Sequence, residues 1–189
     1  VPGRHNVLNS LGALVCAVEM GIKMDSILKA LKEFTGAHRR FETKGRVNGV
    51  WVVDDYAHHP TEIGVTLKAA LQTKPQRLIC VFQPHRYTRT QLLFNEFCAC
   101  FKGCDKLIVT DIYAASEDPI EGVNSQKLAE GIKKTSGVDV EYVPSMADIE
   151  NYLAANARTG DLVMTIGAGD VYKVGEALVA DLQRSNENV

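Results

Sequence analysis

The sequence lacks several features that would settle its class at once. No apolar run is long enough to span a bilayer, since the longest, near residues 11–18, is followed directly by Glu19. The opening Val1-Pro2-Gly3-Arg4-His5 has no basic region leading into an apolar stretch and a cleavage site, so it does not read as a secretory signal, and the expected location is the cytoplasm. Neither charge sign is in excess: 21 Lys+Arg against 23 Asp+Glu leave a net charge of -2, which argues against a broad electrostatic grip on nucleic acid or on a membrane surface. Any anionic ligand must therefore be held by local groups. Cysteine offers no C-x-x-C pair, and its odd count of five speaks against a disulfide framework and a structural zinc. Cys98, Cys100 and Cys104 fall on one predicted helix, where only Cys100 and Cys104 share a face, and they read as buried thiols; no metal ligand is assigned. A G-x-x-x-x-G-K-[ST] phosphate loop is also missing.

What remains is 189 residues that are 46% hydrophobic and 23% charged, the composition of an ordinary globular domain with an appendage. Apolar positions at helical spacing (Val7, Leu8, Leu11, Leu14, Val15, Val18) predict a helix over 6–19 that Gly21 stops. A second helix, capped by Asp25 or Ser26, runs through Phe34 to Gly36. Two short helices with no strand beside them cannot bury their apolar faces alone, so residues 1–38 look like the tail of a preceding domain. From there the rhythm changes. Asn48-Gly49 between two extended runs is a hairpin signal, because both residues accept positive φ. Helices over 60–72, 90–101, 125–134, 146–157 and 171–183 then alternate with strands over 77–82, 106–112, 138–143 and 161–166. Runs such as Leu78-Ile79-Cys80-Val81-Phe82 are apolar on both faces, as parallel strands covered by helices must be. The expected fold is α/β: a mostly parallel sheet over 39–189, covered by helices, opened by a β-hairpin and preceded by a short helical appendage.

In such sheets ligands bind beyond the carboxyl ends of the strands. The loop Asp54-Asp55-Tyr56-Ala57-His58-His59-Pro60 carries two carboxylates, a phenol and two imidazoles, groups that can accept ribose hydroxyls or position and deprotonate an amine. Packing alone would leave a polar strand-to-helix loop with Thr61 or Asp55 as a cap. The next loop, Gln83-Pro84-His85-Arg86-Tyr87-Thr88-Arg89-Thr90, puts two arginines three apart at a helix mouth, where their guanidinium groups can converge on one carboxylate or phosphate. Thr110-Asp111-Ile112-Tyr113-Ala114-Ala115-Ser116-Glu117 ends the following strand, and Gly167-x-Gly169 is a tight turn or a close backbone approach to a ligand. His5, Asn6 and Asn9 share one helical face and can read a base edge or serve as caps.

Taken in order, Gly3-Arg4-His5-Asn6-Val7-Leu8-Asn9, Arg39-Arg40-Phe41-Glu42 and Asp54-Asp55-Tyr56-Ala57-His58-His59-Pro60-Thr61-Glu62 resemble the ATP-dependent Mur ligases of bacterial cell-wall synthesis. The runs His85-Arg86-Tyr87-Thr88-Arg89-Thr90 and Thr110-Asp111-Ile112-Tyr113-Ala114-Ala115 resemble the branch that adds L-alanine to UDP-N-acetylmuramate. A related branch, which adds a tripeptide, shares the Asp-Asp-x-Ala-His-His-Pro loop. The resemblance implies a C-terminal Rossmann-like domain carrying the last helices of a central ATPase, inactive without that ATPase and the UDP-sugar domain. It implies an acyl-phosphate intermediate, with ATP and Mg2+ as cofactors and the magnesium ligands mainly in the central domain. It also implies that His5, Asn6, Asn9, Arg40, Asp54 and Asp55 contact ATP. Tyr56, His58, His85, Arg86 and Arg89 would shape the L-alanine site, with His58 the catalytic candidate. Two other classes fit the residues read alone: a stand-alone nucleotide- or anion-binding module, and an unrelated doubly wound methyltransferase or reductase.

Overall fold

The computed structural model describes residues 2–187. Two helices come first, α1 (Arg4–Glu19) and α2 (Met24–Glu33). A hairpin of β1 (Glu42–Val47) and β2 (Val50–Asp55) follows, then α3 (Pro60–Gln72), β3 (Arg77–Phe82), α4 (Tyr87–Leu92) and α5 (Phe94–Cys100). The remainder is β4 (Lys106–Val109), α6 (Ser125–Ser136), β5 (Asp139–Tyr142), α7 (Met146–Asn156), β6 (Asp161–Ile166) and α8 (Tyr172–Glu187). One six-stranded sheet runs in the order β1-β2-β6-β3-β4-β5, with β1 antiparallel to β2 and every other pair parallel. The α/β expectation, hairpin included, holds. Asn48 and Gly49 take φ of 54° and 75°, the left-handed pair that a two-residue turn matching strand twist requires.

Each face of the sheet has its own core. Ile63 and Leu67 of α3, Phe97 of α5 and Leu128 of α6 pack with Leu78, Phe82 and Leu107 on one side. Ile149 and Leu153 of α7, with Val174 and Leu178 of α8, pack against Val52, Ile79 and Val163 on the other. Because β3, β4 and β5 step outward while β6 returns between β2 and β3, the loops after β2 and β3 lead to one face and the loop after β6 to the other. That reversal opens a crevice at the carboxyl ends of the strands, the usual ligand position.

Several expectations change in detail. The helix expected over 90–101 is two helices broken at Leu93, and it starts at Tyr87. Thr90 Oγ1 donates back to the Arg86 carbonyl at 2.8 Å, a bond that competes with the helical ladder. Cys104 lies beyond α5, so it shares no helical face with Cys100; its thiol donates to the Lys106 carbonyl. Strand β4 ends at Val109 rather than 112, and the chain rejoins its neighbour only at the single bridge His85–Tyr113. The cap of α3 is His59, whose Nδ1 accepts from the Thr61 amide, not Thr61 or Asp55. Helix α2 begins after Lys23 with no side-chain cap, so neither Asp25 nor Ser26 caps it. Within α1 and α2 only Ile27 is buried, and Val7, Leu11, Val15 and Val18 stay exposed.

Candidate active site

Asp54 and Asp55 close β2, and their alternating directions give them different tasks. Asp54 is wholly buried: Arg39 Nε donates to its Oδ2 at 2.8 Å and Thr165 Oγ1 to its Oδ1 at 2.7 Å. Both oxygens are engaged inside the protein, and Asp54, expected at a nucleotide, has no exposed surface. Its partner Arg39 spends the rest of its guanidinium on the carbonyls of Gly169 (2.9 Å) and Gly167 (2.7 Å), and lies between the rings of Tyr56 and Tyr172. Arg39 takes φ of 56° to reach that position. Gly167-x-Gly169 thereby resolves as a packed turn. A Cβ on Gly169 would fall 2.8 Å from the Tyr113 ring and closer still to Gln83 Oε1, so only glycine lets this turn approach β3.

Asp55 faces the other way, into a cavity of about 1110 Å³ lined by His5, Asn6, Asn9, Arg40, Thr61 and Glu62 among others. Five of the six residues read as nucleotide contacts therefore meet in one hollow. Asp55 accepts from the amides of Phe41 and Ala57, both at 2.8 Å, and from the Thr66 hydroxyl. Burial raises its pKa, against the pull of those amides, Arg40 and Thr66. Asn6 is not the cap of α1, which is Gly3; its amide donates to the Pro2 carbonyl at 2.7 Å.

Beside the cavity the side chains of three loops form a line. The Tyr56 and His58 rings meet edge to face with centroids 5.4 Å apart, His58 and His85 lie 5.7 Å apart, and His85 stacks on Tyr113 at 5.5 Å. Arg89 reaches back to His85, its guanidinium nitrogen 3.1 Å from Nδ1. Burial, the positive charges of Arg89 and Arg86, and His58 all lower the pKa of His85. Arg86 is placed differently from Arg89. At φ 75° it precedes α4, and its guanidinium sits 3.8 Å from Glu117 while that of Arg89 turns to His85. Glu117 also accepts from the amide of Thr88 at 3.0 Å and from its hydroxyl at 2.6 Å. The anion-attracting helix mouth expected there is thus a six-residue helix whose first amides are already engaged by a carboxylate. Arg40 and Glu62 join the two halves: both line the cavity, Arg40 lies over Tyr56, and Glu62 accepts from the His58 amide at 3.1 Å.

Arg39, Glu62, Tyr113 and Glu117 complete the site, although the sequence reading gave none of them a role. Arg39 lies before β1 beside Arg40, Glu62 in the first turn of α3, and Tyr113 and Glu117 in the loop after β4. Among the described residues no three His, Cys, Asp or Glu side chains come together as a metal centre.

Residues 39–169 match the family model described as Mur ligase, glutamate ligase domain. The chain belongs to the Mur ligase family. Curated relatives include the UDP-N-acetylmuramate–L-alanine ligases of Desulforamulus reducens, 49% identical over 97% of this chain and 40% of that protein, and of Syntrophus aciditrophicus, 50% identical over 100% and 39%. Among solved structures, the UDP-N-acetylmuramate-alanine ligase of Thermotoga maritima superposes with a TM-score of 0.83 at 28% identity, covering 98% of this chain and 39% of that one. A murein peptide ligase from Psychrobacter arcticus gives 0.67 at 26% identity, covering 95% and 37%. This Mur ligase chain thus spans about two fifths of the length of those relatives and corresponds to their C-terminal part.

Proposed function

We propose that this chain is the part of an ATP-dependent ligase that closes on ATP and presents L-alanine to UDP-N-acetylmuramate, in the cytoplasmic stage of peptidoglycan synthesis. The observation that carries the reading is the adjacency of a nucleotide-sized cavity to the Tyr56-His58-His85-Arg89 cluster, with Arg40 and Glu62 shared between them. In the reaction the ATP phosphoryl group activates the sugar's lactyl carboxylate, and the amine of L-alanine displaces phosphate from the acyl carbon. His5, Asn6 and Asn9 face the adenine, Arg40 the phosphates and Asp55 the ribose. Arg89 directs its remaining N–H groups at the alanine carboxylate, a planar target that suits a guanidinium. Arg86 stays tied to Glu117 and shapes the loop. The same reading assigns 1–38 to the ATPase domain and 39–189 to the Rossmann-like one. The exposed apolar face of α1 and the start of the family match at residue 39 support that division.

A chimera in which this chain replaces the matching two fifths of the Desulforamulus reducens ligase tests it. ADP release should depend on both L-alanine and UDP-N-acetylmuramate, and Arg89→Ala should chiefly raise KM for alanine, by the equivalent of about 1.5–3 kcal/mol for a charge-assisted hydrogen bond. Alanine-independent turnover, or an unchanged KM, would defeat the reading.

A further inference from the structure

We propose that His58 and His85 are locked in opposite tautomers, so that the site shows a bare Nε2 on His58 and an Nε2–H on His85. His58 Nδ1 lies 3.0 Å from the Tyr56 carbonyl oxygen, which can only accept, so Nδ1 carries the proton. Glu62 Oε2, 3.7 Å from the same nitrogen, is a second acceptor. Against the opposing effect of burial, the His58 and His59 amides and Arg40 hold the Glu62 pKa low, so it remains a carboxylate and reinforces that choice. His85 has the reverse environment. Its Nδ1 is 3.1 Å from a guanidinium nitrogen of Arg89, which can only donate, so Nδ1 is bare and the ring proton sits on Nε2. A doubly protonated His85 would set N–H against N–H. Burial, Arg89 and Arg86 oppose that state, and Glu117 is the counterweight.

The use of this pair rests on the proposed function. His58 Nε2 accepts the proton that the alanine amine loses. The new N–C bond forms, the C–O bond to phosphate breaks, and phosphate leaves with that electron pair. His85 Nε2–H donates to an oxygen of the substrate. Glu62 and Arg89 are positioning residues for the two rings, and Arg89 keeps further N–H groups for the carboxylate.

The test is a long-range 15N–1H correlation spectrum of the 189-residue chain at slightly alkaline pH, with His58→Gln and His85→Gln used for assignment. The expected result is a pyrrole-type Nδ1 and pyridine-type Nε2 on His58, and the reverse on His85. Arg89→Met should relax His85 to a tautomer mixture and leave His58 unchanged. Matching tautomers, the reversed pair, or an imidazolium on either ring would overturn the proposal, and this readout needs neither ATP nor alanine. In the chimera, His58→Gln should lower kcat about 10²–10⁴-fold, the range for a lost general base. His85→Gln keeps a donor and should cost no more than about tenfold, in keeping with one neutral hydrogen bond. The reverse ranking would refute the two roles while leaving the tautomers standing. Absence of alanine-dependent turnover in the parent chimera would instead count against the proposed function.

Discussion

Replacing Arg39 with Met should cost about 3–5 kcal/mol, the range for stripping one partner from a buried ion pair and leaving the other charge alone. Asp54 would be stranded in the sheet, and two carbonyls of the Gly167–Gly169 turn would lose their donor. Urea unfolding of the variant measures the loss, and a change below about 1 kcal/mol would mean that the pair contributes no more than an exposed one. His85 makes a second prediction. Its folded pKa lies below the ordinary 6.5, so protonation favours the unfolded chain. The stability it lends is therefore present above that value and declines as pH falls through it. Between neutrality and about pH 5.5 the Tm of the parent should drop more than that of His85→Gln; parallel curves would show that His85 does not contribute. Residue types and loop positions were enough to find most of this site in the sequence. What they could not show is which neighbour turns inward. Arg39 and Arg40 are adjacent, yet a left-handed backbone at the first sends it into the turn and leaves the second at the cavity. Likewise Asp54 and Asp55 differ only in the side of the strand they occupy.

Elements were most legible where the local signal and the tertiary demand agree. Pro60 favours the opening turn of a helix, so α3 matched its expected bounds, and the apolar run of β3 and the Leu162-Val163-Met164 core of β6 did the same. Elements whose ends are set by distant partners were misjudged. Leu93 interrupts α4 and α5 without a Pro or Gly to announce it, and β4 stops short because residues 110–117 leave the sheet to stitch onto the loop after β3. That stitch consists of the Tyr113 amide to Pro84, the Arg86 amide to Tyr113, and Glu117 to Thr88. Glu117→Ala should cut the last of these and free Arg86. The Thr88 amide is then expected to exchange with solvent at least tenfold faster, roughly the equivalent of 1.4 kcal/mol of local opening, while amides of β3 keep their protection. Equal exchange at Thr88 would show that backbone bonds alone hold the loops together.

At the scale of the whole molecule, the chain should fold by itself and yet not turn over. Its two cores are continuous across one sheet, whereas it carries no phosphate loop to activate a carboxylate. The purified 189-residue chain should unfold cooperatively and release no alanine-dependent ADP with UDP-N-acetylmuramate and ATP present. ATP alone should shift its Tm little, because stabilisation follows RT ln(1 + [L]/Kd) and the cavity offers few groups for the phosphates. Measurable turnover would refute this division of labour. The strand order has a consequence for how the protein is made. The middle of the sheet is β6, wedged between β2 and β3, and it is the last strand to be synthesised. Until residues 161–166 are made, β2 and β3 lack the strand that joins them, so β1-β2 and β3-β4-β5 cannot close into one sheet and each is expected to keep an unpaired edge. Folding therefore waits for translation to pass β6, and a message broken before that codon yields a chaperone client rather than a smaller domain.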